Sequence, residues 1–159
     1  MQPLVLDTNI VLDLFIFADV RTQALREHLE RREFDWLATH VMRDELERVL
    51  DYTHIQAKLA YYKLDASSVL ASFDAYARIV EAAPKAPVTC KDPDDQKFID
   101  LAVAHKCMLL SKDAAVLSMA KRLAALDVLA AAVLPALSGG DAAKPQPQTA
   151  RREPSASTS

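Results

Sequence analysis

Apolar and polar positions follow two rhythms along this chain, and the two take turns. Leu4-Val5-Leu6 is a short apolar run that stops at Asp7-Thr8-Asn9, after which apolar residues return at helical spacing from Ile10. Such a run reads as a strand buried on both faces of a parallel sheet. Phe34-Asp35-Trp36-Leu37-Ala38 reads as a second strand and Val88-Thr89-Cys90 as a third. Cys107-Met108-Leu109-Leu110 reads as a fourth, and Ala131-Ala132-Val133-Leu134 as a short fifth. Between them the period is helical over Thr8 to Phe17, Arg21 to Arg32, Ile55 to Leu64, Ala66 to Ala83 and Ala114 to Leu126. Thr39 is placed to cap a helix carrying Met42, Leu46, Val49 and Leu50 on one face. Asp92 is placed to cap another, with Pro93 at its first position, running to His105. Strands alternating with helices predict an α/β fold on a central parallel sheet of four or five strands.

Composition narrows this reading in four ways. The 159 residues allow one domain with a substantial core, and 51% hydrophobic with 26% charged residues is ordinary for a globular protein. The net charge of −3 gives no global case for a broad nucleic-acid footprint. Neither of the two glycines occurs before Gly139, which removes phosphate-cradling glycine loops and dinucleotide-binding turns. After Leu137 the residues turn to Ser, Gly, Ala, Pro, Gln and Thr. The expected division is therefore a domain over 1–137 and a disordered tail over 138–159. Cys90 and Cys107 show no paired spacing and read as reduced, buried residues of a cytoplasmic protein. No apolar stretch is long enough to span a bilayer, and nothing resembles a targeting segment.

The candidate chemistry is carboxylate. Asp7 stands where the first strand leaves the sheet, in the region where open α/β sheets bind ligands. Glu45 borders the apolar face of its helix, whereas Asp44 and Glu47 turn towards solvent. Asp92, Asp94 and Asp95 open the helix after the third strand, and Asp113 follows the fourth strand in Ser111-Lys112-Asp113. Each has a structural explanation as a cap or as a partner for the positive end of a helix dipole. Four carboxylates converging from one end of a sheet repel strongly unless cations neutralise them, and hard divalent cations suit such oxygen clusters.

Taken in order, Leu4-Val5-Leu6-Asp7-Thr8-Asn9, Asp44-Glu45-Leu46, Asp92-Pro93-Asp94-Asp95-Gln96-Lys97-Phe98 and Leu109-Leu110-Ser111-Lys112-Asp113 resemble the PIN-domain ribonuclease family. The likeness is nearest to the VapC-like toxin components of bacterial toxin–antitoxin systems. It runs over Met1 to Leu134 and implies a PIN-like three-layer α/β/α fold. The implied activity is that of a Mg²⁺- or Mn²⁺-dependent endoribonuclease. The family's acidic quartet carries over onto Asp7, Glu45, Asp95 and Asp113, with Asn9 and Ser111 orienting carboxylates or water by hydrogen bonding. Within this resemblance, spacing to Asp113 picks Asp95 over Asp92, which is left as the cap. The implied partners are an RNA substrate, an antitoxin protein and a second copy in a homodimer, with no membrane. Two departures stand out. Ala114-Ala115-Val116-Leu117 supplies no further acid after Asp113, and Lys106 stands where a glycine is common.

Other residues rank below these. Lys91, Lys97 and Lys112 fall near the expected crevice and are candidates for phosphate contacts. His28, His40, His54 and His105 show no ligand spacing, Trp36 reads as core, and Tyr61-Tyr62 reads as packing. The rival reading is a PIN fold with a weak or inactive site that serves as a protein-binding module. A HAD-type phosphatase also ends its first strand in Asp but wants a second acid at position 9, where Asn9 stands.

Overall fold

The computed structural model describes residues 1–135, so the expected boundary at 137 and the tail over 138–159 lie outside the described residues. The sheet contains β1 (Gln2–Leu6), β2 (Phe34–Ala38), β3 (Ala77–Ile79), β4 (Met108–Leu110) and β5 (Ala130–Ala131), in the order β3-β2-β1-β4-β5 and parallel throughout. The helices are α1 (Thr8–Phe15), α2 (Gln23–Glu30), α3 (His40–Leu50), α4 (Thr53–Tyr61), α5 (Ala66–Tyr76), α6 (Gln96–His105), α7 (Ala114–Leu117) and α8 (Ala120–Ala124). They complete three α/β/α layers. Side chains alternate faces along a strand, yet Leu4, Val5 and Leu6 of β1 are all buried. Both faces of the central strand are therefore covered, which is why it reads as a continuous apolar run. Trp36 is core, as its position predicts.

Three elements depart from the sequence reading. Val88-Thr89-Cys90 is not a strand: Gln96 Oε1 accepts from Cys90 N at 2.6 Å, while Gln96 Nε2 donates to Val88 O at 3.0 Å. Asp100 Oδ1 accepts from Ala86 N at 2.8 Å. Side chains of α6 satisfy this loop's backbone, so it needs no strand partner. The third strand is instead β3, cut from the end of the stretch expected to be one helix to Ala83. Arg78 makes a two-pronged bond with Asp35 of β2 at 3.0 and 2.7 Å, and Val80 N donates to Ala38 O at 2.8 Å. An unfilled edge of β2 outweighs local helical period there. The stretch from Ala114 to Leu126 breaks into α7 and α8, and β5 begins one residue before its expected start.

Helix ends show what the lack of glycine costs. Arg32, Lys63, Lys106 and Asp127 all take positive φ, between 50° and 65°. Each follows a helix whose last carbonyls are satisfied by a returning chain, as where Cys107 N donates to Ala102 O at 3.1 Å and Lys106 N to Val103 O at 3.2 Å. This termination favours glycine, and here residues with a Cβ bear the strain. Tyr61 does not pack: it is 77% exposed. Ile55 and Leu59 define the buried face of α4, two residues from Leu59 points away from it, and Tyr62 makes edge contacts with Phe17 and Tyr61.

Candidate metal centre

The order of the sheet makes the site. From β1 the chain moves outward to β2, whereas β4 returns to β1's other edge, so the crevice beyond the carboxyl ends of β1 and β4 is a topological switch point. Asp7 leaves β1 there, and Ser111 and Asp113 leave β4. Asp7 N donates to Leu110 O at 3.0 Å, which extends the ladder by one bond and fixes the two exits side by side.

Asp7 is buried. Its Oδ1 accepts from Ile10 N at 3.1 Å and caps α1, and its Oδ2 accepts from the fully buried Ser111 Oγ. The same Ser111 Oγ accepts from Asp113 N at 3.1 Å, so one hydroxyl ties the two carboxylate-bearing loops together. Burial raises the Asp7 carboxyl above the ordinary range against the hydrogen bonds from Ser111, Ile10 and the Asn9 backbone, with a further push from Asp113. The side chain of Asn9 is exposed, and its backbone N–H is what is directed at Asp7.

Asp92, Asp95 and Asp113 converge. One carboxylate oxygen from each lies within 4.8 Å of the other two. Asp92 Oδ1 accepts from Asp94 N at 3.0 Å and caps a 3-10 turn over Pro93–Asp95, and α6 starts only afterwards. Asp113 Oδ1 accepts from Ala115 N at 2.8 Å and caps α7. Capping uses one oxygen of each, and a carboxylate has two. Asp95 closes the 3-10 turn without capping anything. Its Oδ2 is buried and no donor reaches it. Burial first, then a hydrogen bond shared with Asp113 and repulsion from Asp113, Asp92 and Asp7, push the Asp95 carboxyl up to about 7. A buried oxygen with no donor, amid three other carboxylates, is costly unless a cation or proton meets it. The donor set is all hard oxygen, which fits Mg²⁺ or Mn²⁺, and the spacing needs only small side-chain adjustments to reach metal–oxygen distances of about 2.0–2.1 Å.

Glu45 stands at the side of this cluster. Thr8 Oγ1 donates to its Oε2 at 3.2 Å; its Oε1 lies beside Lys97 Nζ but, like Asp95 Oδ2, is a buried oxygen that accepts no hydrogen bond. Asp44 and Glu47 are exposed, as the helix period requires. Of the lysines near the crevice, Lys97 is thus engaged with Glu45, and Lys112 Nζ pairs with the buried Asp13 of α1 at 2.5 Å.

Sequence reasoning therefore reached Asp7, Asp95, Asp113 and Ser111 as neighbours but assigned Asp92 to capping alone. Capping and a place in the cluster are compatible because a carboxylate has two oxygens and the cap occupies only Oδ1. Asp13 was not singled out, and only its burial beside Lys112 marks it. All the motifs lie within the 3–115 stretch matched by the family model of the PIN domain. The chain belongs to the PIN-domain family. No curated protein matches it. PIN domains are generally metal-dependent nucleases, and this PIN domain carries the acidic cluster such chemistry uses.

Proposed function

We propose that this PIN domain is a metal-dependent endoribonuclease. The observation that carries the reading is the convergence of Asp92, Asp95 and Asp113 around the donorless Oδ2 of Asp95. Asp92, Asp95 and Asp113 would hold Mg²⁺ or Mn²⁺ with Asp7 beside them, and Glu45 adjoins the group through Thr8, the residue after Asp7. A bound cation of this class supplies charge stabilisation for a phosphate and a more acidic water. The chain's own parts do the rest. Ser111 holds Asp7 and the Asp113 loop in one arrangement, so the carboxylates are in place before substrate arrives. The capping bonds of Asp92 and Asp113 lock the orientation of each carboxyl group. Asp7, more buried and doubly hydrogen-bonded, is the anchor of the crevice floor.

The role as a toxin with an antitoxin partner and the homodimer rest on the likeness of the four motifs to toxin components, and the cytoplasmic location rests on the unpaired, buried Cys90 and Cys107. No described helix is long and apolar enough to cross a membrane. The decisive experiment is cleavage of a labelled RNA by purified protein with Mn²⁺, Mg²⁺ or a chelator. Cleavage should require the cation and fall at least about a hundredfold in Asp95→Asn. Cleavage that persists in chelator, or in Asp95→Asn, would sink the reading. Co-purification with the product of an adjacent small reading frame, and inhibition by it, tests the toxin role.

A further inference from the structure

Helix α1 buries every residue from Ile10 to Phe15, and all of them but Asp13 are apolar. The Asp13 side chain is only 8% exposed. A carboxylate so enclosed is costly unless a cation meets it. Among the described residues the one cation paired with it is Lys112, whose Nζ lies 2.5 Å from Asp13 Oδ2. Such a pair is a poor device for stability, because apolar side chains of similar volume commonly serve the fold as well or better. Its presence calls for another reason.

That reason lies in where Lys112 stands. It sits between Ser111, whose Oγ donates to Asp7, and Asp113, one of the three carboxylates that converge. The start of this loop is fixed by the sheet: Asp7 N donates to Leu110 O and Ser111 N to Ala131 O, both at 3.0 Å. Past Ser111, Asp113 is tied back by a single bond from its N–H to Ser111 Oγ at 3.1 Å, and α7 begins at once. The Lys112 side chain adds a second hold, on α1. That helix is itself firmly placed, since Asp7 caps its start and Asp13 O accepts from Asp19 N at 3.1 Å beyond its end. Lys112 and Asp113 are adjacent, so whatever holds one limits the other.

We propose that Asp13 is a positioning residue: by pairing with Lys112 it holds the loop after β4 so that Asp113 faces Asp92 and Asp95 across the cation site. Lys112 serves this tie and makes no contact with a substrate phosphate. The inference rests on the metal-centre reading above. It accounts for a charged residue on the buried face of α1 and for a lysine between two residues of the site.

The test uses Asp13→Asn, Lys112→Met, Lys112→Arg and the double variant Asp13→Leu with Lys112→Met, with melting to check that each folds. Calorimetry measures Mn²⁺ affinity, and cleavage of a single-stranded oligoribonucleotide gives kcat, KM and their salt dependence. Asp13→Asn and Lys112→Met change the local charge in opposite senses, and the double variant leaves it unchanged. An effect of charge alone would weaken Mn²⁺ binding in Asp13→Asn, strengthen it in Lys112→Met and leave the double variant like wild type. A lost tie acts alike in all three. Each should lose Mn²⁺ affinity by about tenfold or more, and the losses should not add. Lower kcat with unchanged KM should accompany them. Lys112→Arg, which keeps the pair, should retain most of the affinity. The double variant buries no charge and should melt at or above wild type, so its loss of Mn²⁺ affinity is not a loss of fold. A double variant that binds Mn²⁺ like wild type, or that does not fold, overturns the proposal. So does a Lys112→Met that raises KM and flattens the salt dependence by roughly one phosphate contact while Asp13→Asn does neither. Wild type that binds Mn²⁺ without cleaving RNA refutes the nuclease reading alone, and the Mn²⁺ arm still decides the role of Asp13.

Discussion

Asp95→Asn should stabilise the protein in chelator while removing its response to metal. Asn is nearly isosteric with Asp, so packing is kept and the charge alone is removed. In the folded chain the Asp95 carboxyl is pushed from 3.8 up to about 7 by burial and by Asp113, Asp92 and Asp7. A displacement of that size has a ceiling of about 4 kcal/mol, and solvent entering the open crevice reduces it to about 1–2 kcal/mol. The sign follows from linkage: the folded state holds the proton more tightly than the unfolded chain. This group's favourable contribution is thus fully present below pH 4 and is lost as pH rises through about 7. The advantage of Asp95→Asn over wild type should therefore grow from pH 5 to pH 8 and reach about 3–8 °C in Tm at the upper end. Mn²⁺ at a hundredfold excess over its Kd should raise wild-type stability by about 2.7 kcal/mol and leave Asp95→Asn nearly unmoved. Thermal melting in chelator and in Mn²⁺ at the two pH values reads both effects. A variant less stable than wild type at pH 8, an advantage independent of pH, or an undiminished Mn²⁺ shift would each refute the reasoning.

Asp92→Ser separates capping from membership in the cluster, because Ser caps nearly as well as Asp but offers no carboxylate. It should melt within about 0.5 kcal/mol of wild type yet lose Mn²⁺ affinity, whereas Asp92→Ala should also lose about 0.5–2 kcal/mol of stability; calorimetry and melting distinguish them. Ser111→Ala strips a fully buried hydroxyl from Asp7 and Asp113 N, so it should cost about 1–3 kcal/mol and slow cleavage, read by denaturant melts and rate assays. Lys106→Gly relieves a positive φ of 50°. The relief of about 1–2 kcal/mol outweighs glycine's greater entropy loss by about 0.5–1 kcal/mol, so Tm should rise by about 2–4 °C without change in activity.

Much of this molecule was legible in one dimension. The buried strands β1 and β4 announce themselves because residues covered on both faces must be apolar, β2 does so through the apolar residues on either side of Asp35, and the capping residues Asp7, Thr39 and Asp113 do so because a helix start needs a side-chain acceptor. Four motifs in order were enough to place the chain in its family. What the sequence could not decide depends on partners distant along the chain. Ala77–Ile79 leaves a helical pattern for a strand because β2 offers an open edge and Asp35 a partner for Arg78. Val88-Thr89-Cys90 has the composition of a strand but finds its hydrogen bonds in Gln96 and Asp100. Tertiary structure alone brings the Asp92–Asp95 turn to Asp113, and Lys97 to Glu45. The reason is physical: caps are local bonds that the order of residues predicts, whereas the pairing of β1 with β4 that sets Asp7 beside Ser111 and Asp113 spans about a hundred residues of chain.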